Sequence, residues 1–316
     1  MLTSVLSKPI KFIRDRNNEM KNTKRKKTGI QISRFLILPG LIFILLGHFV
    51  APFFGAIYAF TDFTGLGSYH FVGIKNFKEI FNSNADKIAL SNTFKLAIPF
   101  VILVIVFGLL LALALQSKLK TRDVLRSLFF IPVIMIPLAI TQVWKYIFNY
   151  NGPLNLFLKL LGHAELCKNW LGDSKDALYC ILFVMIWQNV GYAMIIFNAG
   201  LQSVPEELYE AAKVDGAGKI ARLHYITIPL LAPSFTIVMT LMTISGLRVF
   251  DQVIGLTNGG PSHMTETLAS DFYLQTWVNG RYGYGSALAL ILTLLVIVID
   301  IFQIIILRKR EENLNG

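Results

Sequence analysis

The chain has 316 residues, 54% of them hydrophobic and 16% charged, with a mean hydropathy of +0.57 and a formal net charge of +11. A soluble domain carries about 25% charged residues, and here the apolar residues gather in runs near or beyond the roughly 18 that suggest a membrane span. That excludes a soluble globular enzyme, a disordered chain and a disulfide scaffold, and leaves an all-α polytopic membrane protein.

Residues 1–34 hold ten Lys and Arg. Residues 1–6 are too short for the apolar stretch of a signal peptide, and residues 8–27 are basic. The segment reads as a cytoplasmic topogenic tail, and residues 5–13 have an alternative reading as a basic amphipathic stretch on the inner leaflet. Six spans follow, at about 35–60, 95–115, 128–148, 178–200, 233–256 and 284–307. The domain reading is therefore a basic tail (1–34), a six-span domain (35–307) and a short tail (308–316). The third span carries Gln142, Trp144 and Lys145, and the fifth Ser245, Arg248, Asp251 and Gln252. Polar groups are costly in hydrocarbon, so these two are expected to face protein or a water-filled path. Cys167 and Cys180 are the two cysteines. They read as free thiols, since nothing in their spacing requires a bridge.

Orientation follows from the basic residues. With the N-terminus inside, residues 1–34, 116–127, 201–232 and 308–316 hold ten, four, three and three Lys and Arg, so twenty of thirty are cytoplasmic. The outer loop 149–177 balances three bases against three acids. Both termini are expected inside, and the net charge is explained by topology, without nucleic acid.

The loop 201–232 is the most informative segment. Ser203 and Glu206 stand at capping-box spacing with Pro205 in the first turn, which predicts a helix over about 204–212 with Glu206 and Glu207 at its positive end. Asp215 is expected to cap a second helix, with Gly216 in the turn and Ile220, Leu223 and Ile226 along one side. Pro229 and Pro233 frame the return to the membrane. Two short helices joined by an Asp-Gly turn make a compact knob, suited either to transmitting force from a cytoplasmic partner or to bracing the bundle.

Glu210-Ala211-Ala212, Gly216, Ile226 and Pro229 resemble the EAA loop of bacterial importer permeases of the ATP-binding-cassette class, with Ile228 where the pattern has Leu. Phe250-Asp251 and Thr257-Asn258-Gly259-Gly260-Pro261 resemble the carbohydrate-uptake branch, the maltose-permease-like first subunit in particular. Asn151-Gly-Pro-Leu-Asn155, Trp170-Leu171 and Tyr282-Gly-Tyr-Gly-Ser-Ala287 fit the same branch. The resemblance covers about 35–307. It implies a type I importer fold in the bacterial cytoplasmic membrane and a coupling helix that docks on a cytoplasmic ATPase through Glu210, Ala211, Ala212, Asp215 and Gly216. The implied partners are a second, homologous permease, an ATPase dimer that carries the ATP and Mg, an extracytoplasmic solute-binding protein, a sugar and membrane lipid. The chain itself is expected to hold no cofactor and to catalyse no reaction. No G-x-x-x-x-G-K-[ST] phosphate loop occurs in it.

In the fourth span Gln188 and Tyr192 are four residues apart and share a face, beside Trp187 and Asn189. Amides exchange hydrogen bonds with sugar hydroxyls, and indole or phenol rings pack on a sugar's apolar face. With Ser245 of the fifth span these are the candidate solute contacts, although Trp and Tyr also anchor helices at interfaces and amides also join helices. Arg248 and Asp251 are one turn apart, which predicts an internal ion pair, with an anionic solute as the sharper alternative. Asn258, Gly259, Gly260 and Pro261 form an outer turn that either meets the binding protein or simply reverses the chain. The function expected is the permease subunit of an ATP-driven sugar importer. The alternatives are a permease for another solute, such as glycerol phosphate, and an ion-gradient-driven carrier. Asp251 and Asp300 lie near span ends, poorly placed for the latter.

Overall fold

The structure, a computed structural model, describes residues 38–116 and 120–315; the N-terminal readings on residues 1–34 lie outside them. The described residues divide into two units between Phe53 and Phe54. The first holds α1 (Leu38–Leu45) and a π turn at Leu46–Val50, and α2 (Ala51–Tyr58) straddles the division. Leu38–Tyr58 is 21 residues long with a mean hydropathy of 2.1, enough to cross a bilayer. His48, like its neighbours in this stretch, is exposed.

The second unit is a helical bundle. Helix α3 (Lys75–Asn82) precedes α4 (Asn84–Ala114), and a bent pair follows, α5 (Arg122–Ile134) and α6 (Pro137–Ile147). Then comes the short α7 (Pro153–Leu160), followed by the long α8 (Ser174–Gln202). The loop 201–232 holds α9 (Glu206–Val214) and α10 (Lys219–Arg222), with a π turn at Leu223–Thr227 and α11 (Ile228–Leu230). Next come α12 (Ala232–Leu247), α13 (Asp251–Thr257), α14 (Leu268–Tyr273) and α15 (Tyr282–Asn315). Among the described residues, four helical stretches are long and apolar enough to span, or up to six when each bent pair counts as one.

Two spans depart from the sequence expectation. The third is bent by 99° between α5 and α6. Pro137 opens α6 and has no amide hydrogen to continue the ladder, and it holds Ile136 in an extended conformation (ψ 124). The run at 233–256 is likewise not one helix: α12 ends at Leu247, Arg248 caps it, and α13 restarts at Asp251. The second span begins eleven residues earlier than read, at Asn84, where the Ser83 hydroxyl accepts from the Asp86 amide at 3.3 Å.

The main core packs α4, α8 and α12 through Leu96, Phe100, Val104, Ile181, Met194, Phe197, Val238 and Met242. A second cluster joins Ile80, Leu268, Ala287, Leu288 and Leu292 around the outer half of α15. Both cysteines are free. Asn155 explains two of the sequence motifs at once. Buried, it donates to the carbonyls of Tyr150 and Lys168, both at 2.9 Å, and accepts from Trp170 Nε1 at 2.8 Å, closing the outer loop on itself.

Candidate functional site

The elbow in the loop 201–232 is built by backbone geometry rather than by the side-chain caps the sequence suggested. Ser203 does not cap α9; it ends α8, and its hydroxyl donates to the Gly200 carbonyl at 2.7 Å. Pro205 occupies the N-cap position, with no side-chain cap. Asp215 closes α9 instead of opening α10, whose N-cap is Gly218. After it, Gly216 takes φ +78, its amide donates to Lys213 O at 3.1 Å, and the Ala217 amide donates to Ala212 O at 2.8 Å. That is a Schellman ending, and the left-handed residue it demands is a glycine. A Cβ on Gly216 would meet nothing within 4 Å, so the requirement is conformational and not one of space.

This ending fixes the direction in which α9 presents its surface. Glu210, Ala211 and Asp215 are exposed and Ala212 is half-buried. The apolar residues Leu208, Val214 and Ile220 are exposed as well, Val214 by 88% and Ile220 by 83%. Ile220 therefore does not join Leu223 and Ile226 on a packed side as expected; those two are half-buried. A bond that sequence reasoning missed ties α9 to the π turn that leads back to the bundle: Tyr209 Oη and the buried Thr227 Oγ1 lie 3.0 Å apart. No short-range pattern announces a pair 18 residues apart.

A cavity of about 410 Å³ lies where the two broken segments face one another. Val133 and Pro137 line it from the bend of the third span, Ser245, Arg248 and Asp251 from the break between α12 and α13, and Gln188 and Asn189 from α8. Gln252 donates to Gln188 Oε1 at 2.8 Å, which aligns the wall. Asn189 donates to the Met185 carbonyl of its own helix at 2.9 Å. Of the five candidate solute contacts, the structure brings together Gln188, Asn189 and Ser245. Trp187 points elsewhere, into an apolar groove of about 520 Å³ with Phe107 and Phe183, edge-on to Trp144 at 5.3 Å. Tyr192 is exposed and does not line the cavity. Arg248 and Asp251 share the cavity without an ion pair within 4.0 Å, contrary to the i, i+3 expectation, because the helix is interrupted between them.

The turn at Asn258–Pro261 is packed more deeply than a surface loop. Asn258 is left-handed at φ 50 and exposed, whereas Gly259 is buried at φ +79, where a Cβ would lie 2.7 Å from Glu266 Cγ. Gly260 and Pro261 are half-buried. Asn92 on α4 donates to Met264 O at 2.8 Å and Glu266 O at 3.0 Å, and Thr267 donates to Val249 O at 2.8 Å, at the helix break itself. The connector after α13 is thus fastened both to α4 and to the cavity's edge.

The family model described as "Binding-protein-dependent transport system inner membrane component" matches residues 104–312, which holds both broken segments, the elbow and all of the cavity's lining but Phe100. The chain belongs to that family. The permease is 35% identical to the multiple sugar-binding transport system permease protein MsmF of Streptococcus mutans, over 88% of this chain and 95% of the relative. It is 32% identical to the trehalose/maltose transport system permease protein MalF of Thermococcus litoralis, over 92% of this chain and 98% of the relative. Its fold matches a chain in the crystal structure of a bacterial ABC transporter involved in the import of the acidic polysaccharide alginate. The TM-score there is 0.78 at 21% identity, covering 87% of this chain and 94% of that one. The fold is that of an ABC importer permease, and the protein is a multi-pass membrane component of a transport system that works with a solute-binding protein.

Proposed function

We propose that this permease is half of the translocation path of an ATP-driven importer for sugars, oligosaccharides in particular, and that it receives its driving force through α9. A second, homologous permease supplies the other half, and two cytoplasmic ATPase subunits lie beneath. The binding protein delivers solute from outside, and both termini are cytoplasmic. The observation that carries this reading is the elbow: a helix rigidly ended at Gly216 and tied at Tyr209 that nevertheless leaves Glu210, Leu208, Val214 and Ile220 exposed. Apolar side chains left open beside an acid, on an element too well ordered to be a mere connector, fit a partner's groove lined by apolar and basic groups.

In this reading ATP and Mg bind the ATPase subunits and this chain holds no cofactor. Closure of the ATPases drives the elbow, and the elbow turns the segments on either side of the cavity. Gln188, Asn189 and Ser245 meet the sugar hydroxyls there, and the relatives named for maltose, trehalose and multiple sugars support that solute class. Trp187 and Tyr192 stabilise the helix outside the cavity. Of the outer turn, Asn258 is the residue best exposed to the binding protein. The test is Glu210→Lys in the assembled transporter: labelled oligosaccharide uptake and copurification of the ATPase are both expected to fall at least tenfold while the chain's membrane abundance is unchanged. Normal values for both remove the coupling role.

A further inference from the structure

The outer connector buries an acidic pair that transport does not explain. Asp86 at the start of α4 and Asp271 on α14 are 4% and 2% exposed; the Leu268 amide of α14 donates to Thr93 Oγ1 of α4 at 3.0 Å, and this packing brings the two carboxyl groups to face one another. Each has one oxygen satisfied by a neutral donor. The Tyr284 hydroxyl of α15 donates to Asp86 Oδ2 at 2.7 Å, and Gln275 Nε2 donates to Asp271 Oδ1 at 3.1 Å. The other two oxygens, Asp86 Oδ1 and Asp271 Oδ2, are buried and have no donor.

A carboxylate only accepts hydrogen bonds. Two facing acceptors in a dry site are therefore costly unless one of them carries a proton and donates it to the other. The surrounding charges offer no substitute. Arg281 lies over the Tyr284 ring, 4.0 Å from its centre, and its guanidinium is paired with Glu79 of α3 at 2.5 Å. Glu266, 2% exposed, adds a further negative charge on the Asp271 side and is itself paired with His263. Among the described residues no group of three His, Cys, Asp or Glu is placed to hold a metal ion. Burial first, and then the neighbouring Asp86, push the Asp271 carboxyl up to about 8.

We propose that the Asp271 carboxyl carries a proton that it donates to Asp86, and that this hydrogen bond is a latch holding α14 and its connector against the neighbouring ends of α4 and α15. Losing the proton sets two bare carboxylates against one another where water does not screen them, and the latch opens. The sign follows from linkage. An Asp whose pKa is higher in the folded state than its ordinary 3.8 keeps its proton longer when folded, so stability is greatest at low pH. It falls as pH rises from about 4 to about 8 and levels off above that.

The test uses the full chain in lipid nanodiscs, as the natural protein, Asp271→Asn and Asp86→Asn, with thermal unfolding followed between about pH 5 and about pH 9. An Asn donates its amide hydrogen to the remaining carboxylate and needs no proton. The natural chain's unfolding constant is expected to rise by up to tenfold per pH unit, the contribution of one proton, and then to level. Asp271→Asn is expected to lack that slope, and Asp86→Asn, which removes the facing carboxylate but leaves Asp271 buried, is expected to level off at a lower pH than the natural chain. Infrared spectra of the natural chain are expected to contain a protonated-carboxyl band near neutral pH that Asp271→Asn loses. An Asp271→Asn chain that keeps the full slope or the band, or an Asp86→Asn chain that levels off at the natural chain's pH, overturns the latch. If Asp271→Asn fails to fold, the Asp86→Asn chain and the natural chain's own titration decide.

Discussion

Replacing Gly216 perturbs the coupling elbow through the backbone alone. Its φ of +78 lies in the left-handed region, and no atom stands within 4 Å of where a Cβ would be, so no steric collision adds to the cost. An L-residue held there costs about 1–2 kcal/mol, a factor of about 5–30 in the population of the intact ending. Asn tolerates that region better than Ala, and a β-branched Val is least tolerant. Helix α9 has nine residues, too few to stand without its caps and contacts. Losing the Ala217–Ala212 and Gly216–Lys213 bonds therefore frays the turn that carries Ala211, Ala212 and Asp215. The Tyr209–Thr227 bond still anchors the middle of the helix, so the bundle itself stays folded. Uptake by the assembled transporter is expected to fall in the order Gly, Asn, Ala, Val, with the chain's abundance in the membrane constant across the series. A Val variant that transports like the natural protein refutes the reasoning. So does an Asn variant that loses as much as Val, because then something other than backbone conformation is at work.

Two further outcomes are expected. In the cavity wall, Gln188→Ala and Gln252→Ala should show a coupling energy of about 0.6 kcal/mol in a double-mutant cycle on stability. Both should weaken uptake by raising the solute concentration needed while leaving ATPase copurification intact; strictly additive effects would show that the 2.8 Å bond is not made in the working protein. Asn155→Ala removes the bonds to the Trp170 indole and to the Tyr150 and Lys168 carbonyls, at about 0.5–1.5 kcal/mol for each. The thermal midpoint should drop and tryptophan fluorescence should shift to the red; an unchanged midpoint would mean that the outer loop is held by other contacts.

What could be read from the sequence was the part governed by local rules. Apolar runs of span length gave the helices of the bundle. The Gly216 turn was legible because a glycine after an Asp at a helix end has few other uses. Errors arose where two local signals competed. Ser203 carries both a cap for α9 and an ending for α8, and the second holds. The bends were under-read because hydropathy is blind to backbone direction. Pro137 was the available signal for the 99° turn, and the Arg248–Phe250 interruption had none. That interruption also explains why Arg248 and Asp251 share a cavity without pairing, since i, i+3 geometry requires a continuous helix. The shared face of Gln188 and Tyr192 was a statement about one helix; which neighbour covers each residue depends on packing partners remote in sequence. The same holds for Asp86 and Asp271, 185 residues apart, whose contact no periodicity announces.

The central claim is that work done by another polypeptide enters this permease at its inner elbow. Proteoliposomes test it most directly. Solute uptake is measured with the complete transporter, with the same transporter carrying Gly216→Val, and with this chain alone under an imposed ion gradient. Uptake is predicted only for the complete transporter supplied with ATP and binding protein, with strong loss in the variant. Full-speed uptake by this chain alone, without nucleotide, would contradict the account.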